Sequence, residues 1–111
     1  MDLKSKTYDI YTPSGIPLEN VISKTTHMAI AAHQDDLEIM AYDGIIKCFQ
    51  SHNHHFLGVV VTNGSGSART NVYETYSDEE MIEVRKLEQR KAAMIGEYLG
   101  VVQLGYPSKD V

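Results

Sequence analysis

Three side chains in one short stretch are equipped for chemistry: His33, Asp35 and Asp36, at the end of the apolar run that begins at Met28. Imidazole and carboxylate are good ligands for zinc or a similar divalent cation. Two adjacent carboxylates also permit a division of labour, one binding metal while its neighbour takes a proton from water on the metal. A pure helix-capping role would need only one carboxylate and would not require His33.

These side chains work together only if the chain delivers them to one place. His27 to Ala32 reads as a buried parallel strand, in which Ile30 and its small neighbours suit a central position covered on both faces. His27 lies at the opposite end from the site and is read as structural. In an open α/β sheet, ligands sit in the crevice beyond the strands' carboxyl ends, so His33, Asp35 and Asp36 project there. A helix is expected from Leu37 to about Ser51, capped by Asp35 or Asp36, with Glu38 in its first turn. Ile39, Ile45, Ile46 and Phe49 are its expected buried face. Gly44, unfavourable in mid-helix by up to about 1 kcal/mol, implies close approach of another element.

The remaining elements follow the same alternation. His52, His54 and His55 form a polar connector. It follows the helix and precedes the next strand, so it falls at the sheet's N-terminal edge, away from His33, and reads as a solvated loop. Phe56 to Thr62 is a β-branched run typical of a buried parallel strand. The glycine-rich loop after it, from Asn63, lacks the Gly-Lys-Ser/Thr of a phosphate loop. With Arg69, Tyr73 and Tyr76 it suits the wall of a polar substrate pocket. Ser77 to Glu80 is a capping box that opens a long helix to about Tyr98, with Met81, Val84, Ala92, Ile95 and Leu99 as its buried stripe. Arg85 and Glu88 lie within or beside that stripe. Spacing leaves two readings of them open: a surface ion pair, or a charged pair serving a ligand or a loop. Val101 to Leu104 is a third strand, and Gly105 to Ser108 another loop at the active edge. Residues 1–26 read as an N-terminal extension, a short hairpin laid against the domain with tyrosines as packing groups.

The 111 residues suffice for one small domain. A net charge of -5 supplies no basic field for a phosphate backbone, so nucleic acid is not an expected partner. The single cysteine, Cys48, rules out an internal disulfide and reads as a buried structural thiol. No apolar run is long enough to span a bilayer and no signal peptide is evident, so a cytoplasmic protein is expected.

Four stretches in order resemble the metal-dependent N-acetylglucosaminyl de-N-acetylases, the PIG-L/LmbE-like family. Its Ala-His-Pro-Asp-Asp signature stands here as Ala32-His33-Gln34-Asp35-Asp36, followed by Leu37-Glu38 and Gly44. Thr62-Asn63-Gly64 is similar to the family's Thr-x-Gly. Arg85 to Glu88, with Ala92-Ala93 and Ile95-Gly96, resembles its Arg-x-x-Glu helix. Leu104-Gly105-Tyr106-Pro107 resembles the motif closing the third strand. The resemblance covers residues 27–108.

It implies a Rossmann-like parallel sheet, the N-terminal half of a three-layer α/β/α domain, with three strands and two helices in residues 27–111. It also implies that His33 and Asp36 bind Zn2+ or another divalent transition metal, and that Asp35 is the general base. Arg85, with Asn63 and Gly64, would contact substrate. The implied reaction hydrolyses the N-acetyl group of an amino sugar or related amide. Two departures stand out. Gln34 replaces the family's proline, and the histidines of the family's C-terminal half have no counterpart after Pro107. The expectation is therefore a truncated or cleaved chain, inactive alone, that forms a homo-oligomer or pairs with the missing C-terminal segment. With strand order 3-2-1 the first strand would become an edge. The alternative is a non-catalytic module that binds sugar or metal in the same crevice. A nucleotide-binding reading through the Asn63 loop meets carboxylates that repel phosphate.

Overall fold

Strand Phe56–Thr62 is the member of the sheet to which most else is attached. The computed structural model describes residues 8–34, 36–65 and 75–107. Along it run β1 (Asp9–Tyr11), α1 (Leu18–Lys24), β2 (His27–Ala31), α2 (Asp36–Met40), α3 (Tyr42–Cys48), β3 (Phe56–Thr62), α4 (Asp78–Ile95) and β4 (Gly100–Tyr106). The sheet order is β1-β4-β3-β2. β3 is parallel to both neighbours, with Ala29 opposite Gly58 and Gly58 opposite Val101. β1 runs antiparallel to β4, Ile10 opposite Val102.

This is the expected α/β architecture with one strand more than expected. The stretch read as a hairpin is instead β1, followed by the separate helix α1. The alternation of Tyr8 to Tyr11 suits a strand because β4 offers an edge to pair with. Asp9 fixes that pairing from the side: Arg90 of α4 donates to both its carboxylate oxygens, from Nε at 2.9 Å and from Nη2. The Arg90 guanidinium also lies 5.5 Å from the Tyr11 ring centroid.

Both parallel crossovers step the same way along the sheet, so α2, α3 and α4 share one face. Their core joins Ala31, Leu37, Ile45, Cys48, Phe56, Val60, Ala93, Tyr98 and Val101. The opposite face, bearing Leu57 and Gly100, receives Val21 of α1. Met28 and Ile30 of β2 are 58% and 55% exposed. β2 was expected at the centre with both faces covered. Among the described residues it is the sheet's outer strand, as the 3-2-1 order requires.

The expected single helix after β2 bends at Ala41, whose φ and ψ are -111° and 20°. The helical bonds Ala41 N–H to Leu37 and Ile45 N–H to Ala41 are kept across the bend. Its buried face is Leu37, Ala41, Ile45 and Cys48, a stripe of steps of four and three; Ile39, Ile46 and Phe49 are exposed instead. Apolar residues surround this segment, so periodicity alone did not select the face. Gly58 selects it: a Cβ there would lie 2.6 Å from Leu37 Cδ1, so the glycine opens the hollow that Leu37 fills. At Gly44 a Cβ would stand 3.8 Å from the Phe56 ring, an ordinary contact, so the inferred close approach is not found.

In α4 the buried residues are Met81, Gln89 and Ala93, while Ile95 is 64% exposed. The stripe predicted from apolar residues missed Gln89 because its burial depends on a polar partner on α2. The helix closes at Gly96, and Tyr98 turns back into the core, meeting Phe56 edge-on at 4.8 Å.

Candidate functional site

The C-terminal ends of β2, β3 and β4 meet in a hydrogen-bonded seam. Thr62 N–H donates to Ala32 O at 2.9 Å, and Asn63 N–H to Tyr106 O at 2.8 Å. Two turns leave the sheet here, His33–Asp36 and Asn63–Ser65; Gly105, expected to open a loop, instead lies within β4, where its φ of 80° accompanies a register shift against β3 and the strand runs on to Tyr106.

The first reversal carries the site. Asp36 N–H donates to His33 O at 3.3 Å, closing the turn, and Asp36 opens α2. His33 Nδ1 lies 3.4 Å from Asp36 Oδ2, and the side chains are 59% and 44% exposed. That contact serves as an ion pair when the imidazole is protonated. It also fits a shared cation: two donors at the usual zinc distances and tetrahedral angles stand about 3.4 Å apart. Asp35, expected as the base, lies outside the described residues. Among the described residues no group of three or more His, Cys, Asp or Glu could hold a metal ion, so His33 and Asp36 stand as a pair. The same finding leaves the histidine connector without a metal-binding cluster. His55 O accepts from the N–H groups of Thr26 and His27 at the sheet's N-terminal edge, far from His33 in the fold.

Beneath the turn lies Gln34, only 8% exposed. Its Nε2 donates to Thr62 O at 2.9 Å and to Gln103 Oε1 at 3.2 Å. Gln103 Nε2 donates onward to Lys86 O of α4 at 3.1 Å. These groups border a cavity of about 250 Å3 whose walls include Asn63, Lys86 and Gly105. Gln103 was not picked out from the sequence; its signal is an amide between Val102 and Leu104 in an otherwise apolar strand.

The second reversal brings in the other expected residues. Asn63 Oδ1 accepts from Ser65 N–H at 2.9 Å, an Asx turn, and Gly64 adopts a φ of 84°. A Cβ on Gly64 would lie 2.7 Å from Arg85 Cγ, so the loop rests directly on the arginine stem. Arg85 Nη1 donates to Glu88 Oε1 at 2.7 Å, with Arg85 the more buried partner at 19% side-chain exposure. Of the two open readings, both apply in part: Arg85 is ion-paired along the helix and also supports a loop at the active edge. Asn63, Gly64 and Arg85 are thus brought together. The stretch with Arg69 and Tyr73, expected to form a pocket wall, lies outside the described residues.

Glu38 serves more than the helix's first turn. Its carboxylate accepts from the Tyr98 hydroxyl and from Gln89 Nε2 at 3.4 Å. Burial, and then the neighbouring Glu38 carboxylate, push the Tyr98 phenol well above the usual tyrosine range, so it stays a donor. This joins α2 to α4 directly behind the turn that bears His33 and Asp36.

No helix among the described residues is long and apolar enough to cross a membrane. A family model described as PIG-L, GlcNAc-PI de-N-acetylase, matches residues 28–111. Among curated proteins and among solved structures the chain has no match.

Proposed function

The chain belongs to the GlcNAc-PI de-N-acetylase family, and on that premise we propose that its C-terminal sheet edge is built for metal-dependent removal of an N-acetyl group from an amino sugar. Membership makes it, at the family's level, a hydrolase of the de-N-acetylase type. The finer reading assigns Zn2+, or another divalent transition metal, to His33 and Asp36. The observation that carries it is the 3.4 Å separation of His33 Nδ1 and Asp36 Oδ2, the spacing of two ligands on one ion. Bound there, such an ion supplies Lewis acidity toward the amide carbonyl and acidifies water. Asp35 takes the proton of the attacking water. Arg85, with Asn63 and Gly64, orients the sugar portion, its stem already packed against the loop.

Two protein donors hold zinc more weakly than three or four. The proposal therefore carries weak binding by this chain alone, unless a second copy or a further C-terminal segment adds a donor. Zinc affinity of the whole chain, measured by competition with a chromogenic chelator, tests the metal assignment. Asp35→Asn tests the chemistry in a protein completed by the further donor: hydrolysis of an N-acetylglucosaminide is lost while zinc affinity is kept. Equal and measurable hydrolysis by the variant and the parent would remove Asp35 from its role. The second reading, a non-catalytic sugar- or metal-binding module, is favoured by the absence of a third donor among the described residues. It predicts binding without hydrolysis in either protein.

A further inference from the structure

We propose that Gln34 is a positioning residue, holding the turn between His33 and Asp36 in a metal-ready geometry by hydrogen bonds where the family signature carries proline. The inference rests on the metal reading of that turn.

Proline stiffens a turn covalently, by locking φ. Glutamine leaves φ free, so any stiffness at this position must come from contacts. Gln34 has them. Both protons of its amide are spent, one on the last carbonyl of β3 at Thr62 and one on Gln103 of β4. Gln103 then uses its own amide on Lys86 O of α4. The middle of the turn is thereby tied to two strands and a helix, while His33 and Asp36 on either side point outward into solvent.

The side chain is kept inside at a cost. Among the described residues, Gln34 Oε1 and Thr62 Oγ1 are buried without a hydrogen-bond partner. An apolar side chain would avoid the first of these. An orphaned acceptor next to two well-placed donor bonds suits a residue whose value lies in geometry rather than in net stability.

The test compares the whole chain with Gln34→Leu and Gln34→Pro. Leucine removes the two donor bonds and the orphan acceptor together at similar volume, but it leaves Thr62 O and the buried Gln103 Oε1 without that donor, so the melting temperature should fall while the chain stays folded. Without metal, amide hydrogen exchange at Asp36, the N–H that closes the turn, should quicken. With metal, zinc affinity should fall about tenfold, the scale seen when a supporting partner of a ligand is lost. Gln34→Pro should recover zinc affinity, a rescue that a role in general stability would not produce. If Gln34→Leu proves unfolded, Gln103→Leu, which deletes the acceptor of one Gln34 bond and the donor to Lys86 O, is measured in the same way. A folded variant with parental exchange and parental zinc affinity overturns the proposal. If the parent itself binds no zinc, the metal reading fails. Exchange at Asp36 then still decides the anchoring: quickened exchange supports it, and unchanged exchange overturns it.

Discussion

The hydroxyl of Tyr98, in the connection between α4 and β4, donates a hydrogen bond to the carboxylate of Glu38, in the first helical turn after the candidate site. The two residues are 60 positions apart in sequence. Glu38 is flanked by the metal-ligand candidates on one side and the core on the other. Removing the phenolic oxygen by Tyr98→Phe leaves the carboxylate with Gln89 and solvent. A hydrogen bond to a charged group is worth about 1.5–3 kcal/mol, and Glu38 is partly exposed, so a loss near the lower figure is expected in urea unfolding. A melting curve unchanged from the parent would mean that the bond contributes nothing to stability.

The same pair predicts an alkaline limit. The Tyr98 proton is held in the folded state beyond the ordinary tyrosine range, by burial first and by Glu38 second. Its contribution to stability is fully present below the unfolded phenol value, about pH 10, and is lost as pH rises above that toward the raised folded value. Absorbance titration should reveal a phenol that resists ionisation above about pH 10 and disappears from the curve in Tyr98→Phe. Titration curves that superimpose would refute the linkage.

Gly58→Ala tests how the helix bearing Asp36 is seated. The new methyl would lie 2.6 Å from Leu37 Cδ1, and Leu37 is completely buried. Leu37 cannot swing away without moving α2. Overpacking of this kind costs about 1–3 kcal/mol. Because Leu37 adjoins Asp36, zinc affinity should fall together with stability, whereas Gly15→Ala, placed where a Cβ meets nothing, should leave zinc affinity alone.

The capping box of α4 sets an acid limit. Ser77 Oγ accepts from Glu80 N–H at 3.1 Å, and Glu80 Oε1 accepts from Ser77 N–H at 3.0 Å. The backbone bond from Ser77, followed by its side chain, holds the Glu80 carboxyl below the usual range. Its stabilising effect is present above the ordinary glutamate value and is lost as pH falls through the lowered folded value. Ser77→Ala should cost about 1 kcal/mol while the Ser77 N–H still holds Glu80, whereas Glu80→Gln should flatten the acid side of the stability profile. Chemical unfolding across acidic pH measures both.

β2 has an open outer edge among the described residues, and Met28 and Ile30 beside it are exposed. An apolar edge of this kind invites association. Sedimentation of the chain should depend on concentration, and Ile30→Lys should abolish that dependence while leaving the circular dichroism spectrum intact. A chain that stays monomeric at every concentration would remove self-association through β2.

Much of this protein is readable without coordinates. His33 and Asp36 after a short apolar run, and the valine-rich run from Phe56 to Thr62 before a glycine turn, specify a strand-turn-helix unit with candidate ligands at one sheet edge. Those signals are local: strand propensity, turn chemistry and ligand type are properties of neighbouring residues. The capping box at Ser77 was legible for the same reason. The tertiary structure decided which apolar residues are buried after Asp36, because the hollow above Gly58 comes from a different strand. It also decided that Asp9 to Tyr11 joins the sheet, since only an available edge on β4 gives that segment a partner. Above all, Gln34, Gln103, Glu38, Gln89 and Tyr98 become meaningful only across long sequence separations. A buried amide or carboxylate is tolerated only when a partner reaches it, and the identity of that partner is a property of the packed chain, not of the residues beside it.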